Sequence, residues 1–130
     1  MNITYEGEDF TGTADEIRTL LQNRTMWPRL HDIARQLDWP VMMDGRLVVR
    51  KLDATSWKHI LTAGLEKNQQ LAQGIDGGWV LLGQSTSEMS VKKFCMLLDL
   101  IKLFGDSKQV KWSAPKKLEQ HYNDVMRAAA

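Results

Sequence analysis

Apolar residues recur at helical spacing in the first third of the chain. They are Ile17, Leu20, Leu21, Trp27, Leu30, Ile33 and Leu37. Thr13 and Glu16 have the spacing of a capping box, so we expect this helix to begin near Thr13. Pro28 interrupts the pattern, because proline donates no hydrogen bond and crowds the carbonyl four residues earlier. The pattern predicts one helix kinked at Pro28, which we favour, or a second helix with Pro28 in its first turn.

Further helices are predicted by three more apolar stripes, each with a starting signal. Asp53 can cap a helix whose stripe is Trp57, Ile60, Leu61 and Leu65. Ser90 opens a helix, closed by Gly105, whose buried positions are Val91, Phe94, Leu97, Leu98, Ile101 and Phe104. Ser113-Ala114-Pro115 starts a final helix with Leu118, Tyr122, Val125 and Met126 inward.

Strand signals lie between these helices. Strand-forming residues flank Asp44-Gly45, a dipeptide typical of a two-residue hairpin turn. Asp76-Gly77-Gly78 is a second turn signal, and the apolar run 79–82 predicts a short buried strand. The chain therefore predicts one domain over residues 1–130, with an α+β fold that is mostly helical. We expect about four to five helices and a small antiparallel sheet.

Composition limits the class of protein. The 130 residues include the single Cys95, which excludes a disulfide framework and a multi-cysteine zinc site. No apolar run reaches the ~18 residues of a membrane span. The first residues are acidic where a signal peptide would be basic and then apolar. We expect a soluble, cytoplasmic protein.

Charge is nearly balanced along the chain, with a formal net charge of +1. Residues 1–20 carry five acidic side chains against Arg18, and the remainder is mildly basic. This asymmetry suits anion binding through one local face and falls short of the basic character of a dedicated duplex binder.

No constellation of catalytic or metal-ligating residues is present. His31, His59 and His121 are scattered, and Cys95 lies within an apolar helix, as a buried inert thiol would. Neither GxxxxGK[ST] nor GxGxxG occurs. We therefore predict that the protein is not an enzyme and needs no metal or cofactor.

Tryptophan and basic residues lie close together at several points. Residues 22–27 combine Gln22, Arg24 and Trp27, so a base could stack on the indole while the guanidinium binds a phosphate. The alternative is that Trp27 anchors the core. Basic residues also follow near the C-terminus, at Lys108, Lys111, Lys116, Lys117 and Arg127.

Five ordered motifs resemble the NinB family, the Orf recombination mediators of lambdoid phages. They are Gln22-Asn23-Arg24-x-x-Trp27, Leu52-Asp53-Ala54-x-Ser56-Trp57-Lys58, Gly83-Gln84-Ser85-Thr86-Ser87-x-Met89, Leu97-Leu98-Asp99-Leu100-Ile101-x-x-Phe104-Gly105 and Val110-Lys111-Trp112-Ser113. The resemblance covers roughly residues 21–115.

The resemblance implies a non-enzymatic homodimer in the bacterial host that binds single-stranded DNA. Such proteins also contact the host single-strand binding protein (SSB) and help to load a recombinase. On this basis the expected DNA-binding residues are Gln22, Arg24, Trp27, Arg35, Lys111, Lys116, Lys117 and Arg127.

The chain departs from the family pattern in three places. Its segment before Gln22 is short and acidic, its connection between Trp39 and Leu52 is longer, and Glu88 stands where a basic residue often follows the Thr-Ser pair. Arg46, Arg50 and Lys51 on the predicted hairpin could compensate for Glu88.

Two alternatives stay open. One is an adaptor that acts through SSB with little direct DNA contact. The other is a small nuclease, for which Asp32, Asp38, Asp44 and Asp53 show no converging spacing.

Overall fold

Helices make up about half of the described part of the chain, which is residues 1–66, 71–81, 86 and 89–113 of the computed structural model. The helical elements are α1 (Ala14–Leu21), a π-helical turn (Gln22–Met26), α2 (Trp27–Gln36), α3 (Ala54–Leu65) and α4 (Val91–Ser107). The first three follow one another without a break, so we treat residues 14–36 as one N-terminal helical segment. The described residues therefore contain three helical segments.

Strands form three separate antiparallel hairpins in these ranges. We call β1 (Asn2–Tyr5) with β2 (Glu8–Thr11) the acidic hairpin. The second hairpin, β3 (Asp38–Met43) with β4 (Arg46–Lys51), is called the arm. The third hairpin consists of β5 (Leu71–Gln73) and β6 (Trp79–Leu81). Asp44 and Gly45 both have positive φ, at 50° and 74°, which confirms the predicted two-residue turn.

The expectation of four to five helices and one small sheet is wrong. Residues 14–36 form one segment because the helical path continues through Pro28. The final helix predicted from Ser113 lies outside the described residues. Each hairpin closes on its own turn, and within the described ranges its strands pair with no other hairpin.

A change of helical register holds the core of the N-terminal segment together. Its fully buried residues are Ile17, Leu21, Met26, Leu30 and Ile33, and the step from Leu21 to Met26 is five residues. That step spans the π turn, in which hydrogen bonds run from residue i to residue i−5. Met26 takes the core position that the sequence pattern gave to Trp27, which is half-buried.

The remaining core comes from the other two helices. Trp57 of α3 and Phe94, Leu97, Leu98 and Ile101 of α4 are completely buried in the same cluster. Trp39, at the root of the arm, joins Trp57 and Phe104 in an aromatic triangle. Its ring centroids are 5.2 Å apart for Trp39–Trp57, 5.6 Å for Trp39–Phe104 and 5.5 Å for Trp57–Phe104.

Side-chain caps confirm the predicted helix starts. Thr13 Oγ1 accepts a hydrogen bond from the Glu16 amide at 3.1 Å. Asp53 accepts one from the Ser56 amide at 2.8 Å, and hydrogen bonds with Ser56 hold the pKa of this carboxyl below its usual value. Ser90 caps α4 in the same way, accepting from Lys93. These starts were predictable because each cap is formed within four residues.

The predicted helix end at Gly105 is wrong, because α4 continues to Ser107. Gly105 instead makes room for the Trp112 ring, since a Cβ there would lie 2.2 Å from two ring carbons. The Trp112 indole then donates to Asp106 Oδ1 at 2.7 Å. A close tertiary approach, and not a helix stop, requires glycine at this position.

The strand predicted at 79–82 forms over Trp79–Leu81, with Leu82 outside the described residues, but the prediction that this strand is buried is wrong. Trp79 and Val80 are 71% and 51% exposed. Neighbouring strand residues point to opposite faces, so neither face of β6 is covered there. Among the described helices, none has the length and apolar character needed to cross a bilayer.

We predict that Gly105→Ala destabilises the protein by about 1–3 kcal/mol, because the added methyl group displaces Trp112. The control is Gly64→Ala in α3, where a Cβ meets nothing within 4 Å. Alanine there removes helix-interior glycine and should stabilise by up to about 1 kcal/mol. Urea denaturation measures both. Equal effects of the two substitutions would contradict the role of Trp112.

Candidate nucleic-acid interface

The Gln22-to-Trp27 motif coincides with the π turn. The Trp27 amide donates to the Gln22 carbonyl, five residues earlier in the chain. This hydrogen bond joins two of the predicted site residues. Pro28 follows at once, and its ring would crowd the Arg24 carbonyl in a regular α-helix. A wider turn relieves that clash. Single π turns within α-helices are frequent at functional sites.

Trp27 lies beside a histidine and a lysine. Its ring centroid is 6.3 Å from that of His31, one turn further along α2. Lys58 of α3 places its Nζ over the indole, 5.6 Å from the ring centroid. The half-buried Trp27 therefore packs against the core and carries a cation over its ring.

Trp27, His31 and Arg35 form one stripe along α2, and Arg24 precedes them within the π turn. Spacings of four residues place Trp27, His31 and Arg35 on the same side of α2. Arg24, His31 and Arg35 are exposed. We call these four residues with Lys58 the α2 face.

A second basic group lies at the C-terminal end of α2. The Lys51 Nζ donates to the Arg35 carbonyl at 2.9 Å, a favourable position for a cation at a helix end. The Gln36 side chain makes two hydrogen bonds with the backbone of Lys111. Its amide nitrogen donates to the Lys111 carbonyl, and its amide oxygen accepts from the Lys111 backbone N–H, both at 2.8 Å. The predicted residues Arg35 and Lys111 are thus brought together.

Buried Asp32 fixes this arrangement. Its carboxylate accepts from the Ser113 amide at 2.8 Å and from Ser113 Oγ at 2.6 Å. The same carboxylate pairs with Arg35, whose guanidinium also lies 3.3 Å from Ser113 Oγ. Asp32 is only 3% exposed, so its charge is satisfied by these partners and not by water.

The structure adds residues that sequence reasoning missed and leaves others aside. Lys58 joins Trp27 through the contact between α2 and α3, which no local pattern signals, and His31 joins it from one turn further along α2. Three basic residues were predicted to contribute from the arm. Lys51 contacts the Arg35 carbonyl, while Arg46 and Arg50 are exposed on β4. Lys116, Lys117, Arg127 and Glu88 lie outside the described residues.

The acidic hairpin lies against the N-terminal end of the α2 face. Arg24 pairs with Glu8, with 3.7 Å between guanidinium and carboxylate, and its Cζ lies 5.9 Å from the centre of the Phe10 ring. Arg29 pairs with Glu6 at 2.5 Å. Carboxylates of the chain itself therefore occupy two arginines beside the candidate interface.

Arg29 is tied into the fold more firmly than Arg24. It donates to the Leu98 carbonyl at 3.0 Å and lies 3.2 Å from the Tyr5 hydroxyl. Burial alone would lower the pKa of Arg29, but its hydrogen bonds to Glu6 and Tyr5 outweigh burial and raise it. The Tyr5 hydroxyl donates to Asp99, and burial raises the pKa of Tyr5 well above its usual value.

A cleft of about 580 Å³ opens beside these ion pairs. Its lining includes Phe10 and Trp112 together with Arg24, Arg29 and Lys102. Aromatic and cationic side chains thus line it together with the acidic Glu6 and Glu8.

The described residues contain no group of three or more metal-ligating side chains. Cys95 is half-buried, and burial, with a smaller contribution from Asp99, raises the pKa of its thiol. A raised thiol pKa lowers the thiolate fraction and disfavours a nucleophilic role.

Comparison with known proteins agrees with this arrangement of motifs. A family profile described as "NinB protein" matches residues 11–113. "Protein ninB" of Salmonella phage P22 is 45% identical over 102 residues, and that of Escherichia phage lambda is 43% identical over 101. "P21 prophage-derived protein NinB" of Escherichia coli O6:H1 is also 43% identical over 101 residues. Each alignment takes in 78% of this chain and 64% of the relative, so the chain spans less than two thirds of these relatives' length.

A solved structure described as "Structural Genomics, NinB" superposes with a TM-score of 0.58 at 42% identity. The superposition covers 85% of this chain and 78% of that one. The chain belongs to the NinB family, as its motifs predicted, and its relatives are proteins of phages and a prophage.

We predict that Asp32→Ala destabilises the protein by about 1–3 kcal/mol, because it removes the acceptor for Ser113 and strands buried donors. Asp38→Ala changes the same charge at an exposed position of β3 and should alter stability by less than about 0.5 kcal/mol. Chemical denaturation of both variants makes the comparison. Similar losses would contradict the role given to Asp32.

Proposed function

We propose that this protein is a non-enzymatic recombination mediator in the cytoplasm of the bacterial host. It binds single-stranded DNA, cooperates with host SSB and helps to load a recombinase. The observation that carries the proposal is the α2 face, where Trp27 carries Lys58 over its ring between Arg24 and Arg35. Membership of the NinB family supports it.

The interface combines stacking with contacts to the DNA backbone. Stacking of a base on an aromatic ring contributes about 1–3 kcal/mol and tolerates any sequence. Each phosphate contact adds about 0.7 to the slope of log affinity against log salt for a single strand. A net charge of +1 implies few such contacts and a modest affinity, which suits a protein that hands DNA over.

Trp27→Ala should weaken binding of a labelled oligo-dT by about 1 kcal/mol or more, through loss of the stacking ring. Fluorescence anisotropy across a salt series measures the affinity and its salt slope. Trp79→Ala removes an exposed indole on β6, outside the α2 face, and serves as control. Circular dichroism checks that both variants fold. Equal effects of the two substitutions would contradict stacking on Trp27.

The same salt series tests the cation over Trp27. Lys58→Ala should flatten the slope by about 0.7, the amount expected for one lost phosphate contact. Lys92→Ala removes an exposed lysine of α4 and should leave the slope unchanged. A slope insensitive to Lys58 would remove this residue from the interface.

The second candidate function is an adaptor that acts through SSB with little direct DNA contact. The ion pairs of Arg24 and Arg29 favour it. Glu8 and Glu6 already pair with Arg24 and Arg29, which leaves fewer free cations for phosphate. An adaptor would bind SSB at low salt without binding oligo-dT. Binding of free oligo-dT by the wild type would argue against it.

We also propose that the protein is a homodimer that packs through the arm. Pro40 pairs with Val49 and Met42 with Leu47, so these four residues share one face of the hairpin. Met42, Leu47 and Val49 are 64–66% exposed there. An apolar face of this kind is typical of a contact surface between proteins.

Leu47→Ser should therefore shift the protein from dimer to monomer, because it places a polar group in the apolar contact. Light scattering coupled to size-exclusion chromatography reads out the mass. Leu103→Ser is the matched control, since Leu103 is 67% exposed on α4 against 66% for Leu47. An unchanged dimer with Leu47→Ser would place the contact elsewhere.

A further inference from the structure

The two ion pairs of the acidic hairpin differ in how easily a ligand could replace them. The Glu6–Arg29 pair is short, and the Arg29 side chain is only 11% exposed and held by two further oxygen acceptors. The Glu8–Arg24 pair is long, at 3.7 Å, and its side chains are 41% and 57% exposed. The first pair therefore anchors the hairpin, while the second can open without disturbing the fold.

Arg24 is the residue where the hairpin meets the α2 face. It lies three residues before Trp27, in the π turn that leads into the stripe we assign to DNA. Arginine binds carboxylate and phosphate with the same planar set of donors, so Glu8 occupies the position a phosphate would take. An exposed ion pair is weak, and a ligand with several contacts can displace it.

We propose that the acidic hairpin is an electrostatic gate, in which Glu8 occupies Arg24 and single-stranded DNA must displace it to bind. This inference rests on the proposed function, since it regulates the same interface. A phosphate on Arg24 releases Glu8, and Glu8 returns when the strand leaves. The gate therefore lowers affinity for DNA and favours release.

Glu8→Gln tests the gate, because it removes the charge with little change in shape. Its matched control is Asp9→Asn, one residue along β2, which removes the same charge from a side chain that accepts from Thr4 and pairs with no arginine among the described residues. Anisotropy with labelled oligo-dT at one fixed salt concentration compares both with the wild type, and melting curves check that the hairpin stays folded.

We expect Glu8→Gln to bind about two- to fivefold more tightly than Asp9→Asn, the range that corresponds to loss of one exposed ion pair. In an Arg24→Ala background the two substitutions should have equal effects, because the group that Glu8 blocks is gone. This double-mutant comparison keeps the test valid if Glu8→Gln also changes the stability of the hairpin.

The outcomes separate the gate from the proposed function. If the wild type binds and Glu8→Gln matches Asp9→Asn, the gate is wrong and the DNA-binding function stands. An advantage of Glu8→Gln that persists in Arg24→Ala also overturns the gate. If neither the wild type nor Glu8→Gln binds oligo-dT at low salt, the proposed function fails and the gate with it.

Discussion

The packing of the N-terminal helical segment depends on one change of helical register. A five-residue step in a regular α-helix turns the side chain by roughly 140° away from its starting direction. Without the π turn, Met26, Leu30 and Ile33 would leave the face that Ile17 and Leu21 establish. The turn restores that face and lets both halves of the segment bury their stripe with α3 and α4.

The same turn sets the geometry of the candidate interface. It bonds the Trp27 amide to the Gln22 carbonyl and starts the stripe that runs on to Arg35. Core packing and the exposed face are therefore consequences of one local feature, which the acidic hairpin then covers at its Arg24 end. Arg29, five residues after Arg24, also pairs with a glutamate, but its largely buried side chain stabilises the fold.

Local signals in the sequence predict local structure well. Thr13, Asp53 and Ser90 each cap the helix expected of them, because a cap needs only the next three residues. Asp44-Gly45 forms its turn for the same reason. The family resemblance, carried by five ordered motifs, is also confirmed.

Features that depend on contacts between distant residues were not predictable in this way. Gly105 was interpreted as a helix end because glycine commonly terminates helices. The Trp112 ring that requires glycine there comes from beyond the helix, so the local sequence did not show it. Trp79 looked buried because its run is apolar, yet both faces of its strand are open. Lys58 reaches Trp27 only once α2 and α3 are packed, so the candidate site was predicted without the cation that lies over its indole.

The aromatic triangle at the root of the arm has a spectroscopic consequence. The Trp39 and Trp57 ring centroids lie 5.2 Å apart and their planes are inclined at 59°, so their electronic transitions couple. Coupled indoles give a paired positive and negative signal in circular dichroism that two isolated rings lack. Since Trp39 belongs to β3 and Trp57 to α3, that signal reports directly on whether the arm is docked against the helices, in the free protein and in any complex it forms.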